Sequence, residues 1–332
     1  MSYIYDIEIQ AYIPLAAHHT FGRLASGVDT HIDKPYISKL HAAIEWNGSQ
    51  WRIKNLGLNG SWLNGKELLP NESTELAVND IIHLAKLSDP GFQVIDLTPP
   101  TDMLWPLDTR QLAKESLPIY LSRYHLLPDN QTPELAVYRD EETQIWHIEA
   151  ITADMEHTSR ALEDGEVLQI NNMPWQFMRA KVYGPTEIHL DKVQKLTNMD
   201  FVFNLSLDEE TTQLELQHGE HTIDLGVRSH HYLLAQLVRH HAEDIKRGLD
   251  SKSQGWVYTD QLAHELGLDV THLNIHIFRL RKQFSDSLPN TLNMQYLLER
   301  RGGKIRFGCN NYKIYKGASL ITESVVPQRI DY

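Results

Sequence analysis

Three short stretches between Phe21 and Gly65 constrain this chain more than any property of the whole. They read Phe21-Gly22-Arg23, then Ile37-Ser38-Lys39-Leu40-His41-Ala42, then Leu58-Asn59-Gly60-Ser61 with an Asn64-Gly65 turn behind them. Gly22 puts a guanidinium directly after a residue with free φ, and Ser38-Lys39-x-His41 adds a hydroxyl and an ammonium where an apolar run begins. Asn59 adds a side-chain amide at a turn. A fork-shaped cation, a point cation, a hydroxyl and an amide, all at loop or strand ends, suit a phosphate dianion carried on a peptide. Around them, residues 3–97 read as short alternating strands split by Asn47-Gly48, Asn59-Gly60, Asn64-Gly65, Asn79-Asp80 and Pro90-Gly91, the pattern of an all-β sandwich.

The order and spacing of these motifs, with the later Leu76-x-x-x-Asp80-x-Ile82 step into a strand, resemble the forkhead-associated (FHA) domain, a phosphothreonine-binding β-sandwich. The resemblance implies that Arg23 is the bidentate phosphate ligand, with Ser38 and Lys39 beside it and Asn59 holding the peptide backbone. It makes Gly22, His41 and Gly60 structural. Leu58 departs from the pattern, because the family often carries a Ser or Thr there as a further phosphate donor. Residues 1–98 are therefore expected to be an FHA domain, ended by Pro99-Pro100.

The rest of the chain is bounded by what it lacks. Its longest apolar runs fall far short of the ~20 residues of a membrane span. The start, MSYIYDIEIQAYIP, is a strand pattern without the basic opening of a signal peptide, and a single cysteine, Cys309, excludes an internal disulfide framework. A cytoplasmic protein without membrane partners is expected. The net charge of −13 argues globally against nucleic acid, but residues 251–316 carry ten Lys and Arg against five acids. An acidic body with a basic end suits a DNA reader joined to an acidic sensor.

Residues 101–195 read as a β-rich middle domain or spacer, with strands at Tyr120-Leu121, Leu135–Tyr138, Ile145–Ile151, Val167–Ile170 and Trp175–Met178. Ser122-x-x-His125 echoes the first domain, but no Gly-Arg precedes it and no Asn-Gly follows at useful spacing. Thr197-x-x-Asp200 offers an internal threonine with a following acid, a spacing that some FHA domains like.

From Phe201 the pattern changes. Three short strands lead to a helix over Ser229–Arg247, a second that Thr259 is expected to cap, and a third capped by Asp269 or Thr271. In the third helix Leu273, Ile277, Leu280 and Phe284 form an apolar stripe beside a polar one of His272, His276, Arg279 and Gln283. Glu299–Phe307 then reads as a Gly-Gly hairpin with cations on both arms. Residues 200–316, through HIFRLRK at 276–282 and GGKIRF at 302–307, resemble the OmpR-type winged helix-turn-helix that binds double-stranded DNA. The resemblance implies that Arg279 faces base edges, that His276 and Arg281, flanked by Lys282, contact phosphates, and that Arg301, Lys304 and Arg306 form the wing. Phe278 departs from it, standing where the family often has a polar residue. The winged helix is assigned to 200–318, with a tail over 319–332.

No P-loop, nucleophile elbow, HExxH or kinase loop set is present, so no enzyme activity and no cofactor are expected. His18-His19, His230-His231 and His240-His241 are adjacent pairs that point apart on a regular element, so no metal is expected, and the last two pairs read as an exposed helix face. The resulting expectation is a phosphothreonine-dependent transcription regulator. A serine/threonine kinase would act upstream, a phosphorylated protein would be the ligand, and a homodimer would serve two DNA half-sites. The alternative is a non-catalytic adaptor of a signalling or secretion assembly, with the winged helix used for protein contacts.

Overall fold

A computed structural model describes residues 2–70, 72–108, 118–151, 159–180, 199–219, 221–288 and 297–324. The chain divides into two compact units, Met1–Leu121 with Glu163–Ile188, and Ser122–Leu162 with His189–Tyr332. The middle stretch, expected as a β-rich domain or spacer, thus supplies strands to both.

In the first unit the chain runs β1 (Tyr3–Asp6), β2 (Ala11–Pro14), β3 (His18–Gly22), β4 (Thr30–His31), β5 (Ala42–Trp46), β6 (Trp51–Asn55), β7 (Ser61–Leu63), β8 (Lys66–Glu67), β9 (Ser73–Glu75), β10 (Ile81–Leu84) and β11 (Phe92–Asp96). These form two sheets, ordered β2-β1-β11-β10-β7-β8 and β4-β3-β5-β6-β9. Alternation builds the sandwich: along β6, Trp51, Ile53 and Asn55 are buried while Arg52 and Lys54 are not. Ile4, Phe21, Ile44, Trp51, Ile53 and Val94 form the centre of its core. β12 (Met103–Pro106) and β13 (Ile119–Tyr120) continue the unit. Met103 and Trp105 pack with Tyr3, extending the apolar surface beyond the sandwich.

The second unit opens with β14 (Tyr124–Leu127), β15 (Leu135–Arg139), β16 (Trp146–Ala150) and β17 (Arg160–Ala161), a four-stranded sheet in chain order. The chain then returns to the first unit for β18 (Val167–Ile170) and β19 (Met173–Met178), which complete a sheet ordered β13-β12-β19-β18. β12 and β14 have no counterpart in the sequence-based expectation. Thr197 lies outside the described residues.

The C-terminal part consists of β20 (Asp200–Leu205), β21 (Thr212–His218), β22 (His221–Val227), α1 (Ser229–Lys246), β23 (Val257–Tyr258), α2 (Thr259–Glu265), α3 (Val270–Ser287), β24 (Leu298–Arg301), β25 (Lys304–Phe307), β26 (Tyr312–Lys316) and β27 (Ser319–Glu323). These are three helices among the described residues. The sheet β22-β21-β20-β26-β27 carries a parallel β20–β26 pair, and β23-β25-β24 makes a second, antiparallel sheet. Residues 319–323 are a strand, not part of a tail. Asp269 caps α3 by accepting from the His272 N–H. Thr259 is the first helical residue of α2 rather than its cap, and its hydroxyl donates to Gly303 O, tying the helix to the hairpin.

The apolar stripe of α3 packs as expected, with Leu273, Ile277, Leu280 and Phe284 fully buried among residues of α1 and both sheets. The adjacent histidines do not decorate an exposed face. His230, His231 and His241 are buried. His230 and His231 both direct Nε2 at Gln283 Oε1, at 2.7 and 2.8 Å, and the Gln283 amide donates to Leu225 O at 2.7 Å. One glutamine on α3 thus accepts from both rings, and burial lowers the pKa of each. His230 is pushed down to about 4 by burial. Among the described residues no group of His, Cys, Asp or Glu is arranged to hold a metal ion, and no helix is long and apolar enough to cross a membrane.

Candidate functional site

The three N-terminal motifs converge because backbone hydrogen bonds stitch their loops together. The Arg23 N–H donates to Ser38 O at 2.9 Å, Leu24 N–H to Lys39 O at 3.2 Å, and His41 N–H to Phe21 O at 2.7 Å. A Cβ at position 22 would stand 2.2 Å from Lys39 O, so only glycine lets the chains approach this closely. His41 is fully buried and joins the second loop to the third. Its Nδ1 accepts from the Ser38 N–H at 3.0 Å, which requires that nitrogen to be unprotonated, and its Nε2–H donates to Gly60 O at 2.9 Å. Both bonds hold only for the neutral ring, and burial pushes its pKa below the ordinary value. Gly60 has the φ of +79° that its turn demands.

Each expected ligand-binding side chain in this cluster keeps bonding capacity. Arg23 is exposed, and Nε donates to Ile37 O at 3.2 Å; its two Nη groups make no hydrogen bond among the described residues. Ser38 Oγ accepts from the Leu58 N–H at 3.2 Å, which occupies a lone pair and leaves its proton to donate. Asn59 donates once from Nδ2 to Tyr36 O at 2.7 Å, leaving a second N–H and Oδ1 for a peptide backbone. Lys39 is exposed beside them. The arrangement can therefore present cationic and neutral donors to a dianion while an amide holds the chain that carries it.

Three supports were not anticipated. A Cβ on Gly57 would meet the His41 ring at 2.5 Å, so this position is as restricted as Gly22. Buried Asn55 accepts from the Gly57 N–H and the Ser61 hydroxyl, at 3.1 and 3.0 Å, fixing both ends of the Asn59 turn. Tyr36, whose carbonyl holds Asn59, donates from its hydroxyl to Asp89 at 2.5 Å and lies 3.8 Å beneath the Lys86 ammonium. Gly57, two residues before Asn59, was the one of these with a local signal.

The C-terminal cations are differently placed. Arg279 donates from Nε to Asn130 O at 2.8 Å and from Nη2 to Gln131 O at 2.7 Å. Arg281 Nη1 lies 3.7 Å from the buried carboxylate of Glu149, and Lys282 Nζ donates to Tyr124 O at 3.2 Å and to Asp286 at 3.0 Å. His276 is half-buried, and burial lowers its pKa. Arg306 is clamped by Glu299 at 2.9 and 2.6 Å, donates to Ser251 O at 3.3 Å and lies over the Trp256 ring. Lys304 stands 4.4 Å above Tyr258, while Arg301 is exposed at the hairpin. The expected DNA contacts are thus not gathered on one open surface: Arg279, Arg281 and Lys282 are engaged by residues 124–149. Phe278, wholly buried, packs with Tyr124, Leu126, Ala136 and Ile151, which accounts for an aromatic side chain at this position.

Ser122-Arg123-x-His125 repeats part of the N-terminal motif. The Ser122 N–H donates to His125 Nε2 at 2.7 Å, but Arg123 is spent on Ser285 O, Leu288 O and the carboxylate of Glu141.

A family model of the FHA domain matches residues 19–85. Among solved structures, the MEK1 FHA domain in complex with a HOP1 phosphothreonine peptide is 19% identical, covering 29% of this chain and 95% of that one, with a TM-score of 0.26. The N-terminal FHA domain of Rad53p from S. cerevisiae, in complex with a phosphothreonine peptide, is 20% identical over 28% and 94%, with a TM-score of 0.25. Mycobacterium tuberculosis EmbR in complex with a low-affinity phosphopeptide is 26% identical over 30% of this chain and 25% of its own, with a TM-score of 0.26. No curated protein matches the chain. The N-terminal region is an FHA domain.

Proposed function

We propose that this protein is a phosphothreonine-dependent transcription regulator of the cytoplasm, with the FHA domain as input and a C-terminal winged helix-turn-helix as output. A serine/threonine kinase acts on a partner protein, and Arg23, Ser38, Lys39 and Asn59 take the phosphothreonine. The observation that carries the input is their unspent bonding capacity on three loops that His41 holds together. Each charge-assisted hydrogen bond from Arg23 or Ser38 contributes roughly 1.5–3 kcal/mol, with the exposed Lys39 adding less, so removing the phosphate abolishes several contacts at once. The output is supported by helix α3 followed by the hairpin β24–β25 in a basic segment. Two half-sites would call for a homodimer.

Fluorescence anisotropy with matched phosphorylated and unphosphorylated threonine peptides tests the input. Only the phosphorylated set binds, and Arg23→Ala loses it; equal binding of both sets rejects the site. The output is tested with pooled DNA duplexes, where affinity falls steeply with salt, by a slope near the number of phosphates neutralised.

A second reading, a non-catalytic adaptor with the winged helix used for protein contacts, is favoured by one observation. The cationic face of α3 is already occupied by protein.

A further inference from the structure

The contacts made by α3 differ on its two sides. One stripe belongs to the C-terminal core, as in any amphipathic helix. The other side carries Phe278, Arg279, Arg281 and Lys282, and β14–β16 with their loops lie against it. The groups that receive the cations are all acceptors: the carbonyls of Tyr124, Asn130 and Gln131, and the carboxylate of Glu149. Phosphate oxygens and guanine edges offer the same chemistry to Arg and Lys. Arg123 closes the arrangement by donating to Ser285 O and Leu288 O, at 2.9 and 2.7 Å, at the C-terminal end of α3. In chain order the covering strands stand between β13 and β18, both of which belong to the other unit.

We infer that residues 122–151 are an intramolecular cover that occupies the DNA-reading face of α3 with acceptors in place of those of a duplex, and that DNA binding requires the cover to leave. The inference rests on the proposed DNA-binding output. With the cover seated, the face is closed and Arg279 is spent. The apparent affinity for DNA is the intrinsic one reduced by the fraction of molecules whose cover is open.

The test uses the full chain and a pool of random duplexes at moderate salt, with limited proteolysis between residues 270 and 287 reporting exposure of α3. Leu126→Asp puts a carboxylate into the Phe278 cluster, and Arg123→Gln removes the clip without removing an apolar side chain. Both lie outside the proposed DNA-binding set. Both should expose α3 and bind duplex at least about tenfold more tightly than the parent, with the gain lost on adding Arg279→Ala. Should Leu126→Asp fail to fold, Arg123→Gln carries the test alone. A parent that already binds as tightly, through Arg279, overturns the cover and leaves the DNA output standing. Exposure of α3 with no DNA bound by any form overturns both, and makes α3 a permanent protein-contact helix.

Discussion

The FHA loops and the outer face of α3 hold similar side chains in opposite states. In the first, Arg23 spends one N–H on a backbone carbonyl and Ser38 accepts without donating to the protein. In the second, Arg279 makes two carbonyl bonds, Arg281 faces a buried carboxylate, and Lys282 is shared between a carbonyl and Asp286. The difference teaches that a cation is open to a ligand only while the fold leaves its donors unused. Residue type sets what a group is able to bind; neighbouring acceptors set whether it still does.

The largest effect should come from the closed region. Phe278→Ala is expected to destabilise the second unit by about 3–5 kcal/mol, the usual cost of emptying a buried aromatic site. A loss near zero in denaturant unfolding would mean that α3 is not packed on that side, and the contrast between the regions would vanish. Arg23→Ala acts in the open region. It should weaken phosphopeptide binding by about 3 kcal/mol, roughly a hundredfold, with little change in unfolding midpoint, because the only bond lost within the protein is the one from Nε to Ile37 O. A shift in the midpoint without loss of binding would reverse the assignment.

The histidine clasp sharpens the comparison through pH. Burial lowers the folded-state pKa of His41, so its contribution to stability is fully present above the ordinary value of 6.5 and is lost as pH falls through the lower folded value. Between those values the unfolded chain binds a proton that the folded one refuses. Stability of the first unit should therefore decline on going from pH 7 to pH 5, and His41→Gln should flatten that decline. His230, pushed down to about 4, carries the same sign in the second unit, so His230→Gln should flatten only the transition of that unit. The smallest effect is expected for Lys39→Ala: an exposed point charge should contribute under about 1 kcal/mol to peptide affinity, and the loss should fade as salt rises.

Much of the loop framework of the candidate N-terminal site was legible because its demands are largely local. Gly60 is required by the φ of its own turn, and Ser38-Lys39-x-His41 places hydroxyl, cation and clasp in a single turn; Gly22 answers instead to Lys39 O, on the next loop. The buttress of Tyr36 by Asp89 and Lys86 was not legible, since it joins loops some fifty residues apart with no motif of its own. In the second unit, periodicity identified the stripe Leu273, Ile277, Leu280 and Phe284 but was silent on what meets the other side of the same helix. His230 and His231 were read as surface residues because the Gln283 that satisfies them is more than fifty residues away.

By itself, the sequence determined the sandwich, the set of donors around Arg23, the three C-terminal helices and the basic hairpin. Each follows from alternation, helical period or turn chemistry acting over a few neighbouring residues. Only the tertiary structure decided which cations stay available, because an acceptor such as Asn130 O reaches Arg279 across 149 residues of chain. A backbone carbonyl leaves no signature in the amino-acid sequence: every residue has one, and folding alone determines which of them a given guanidinium will meet.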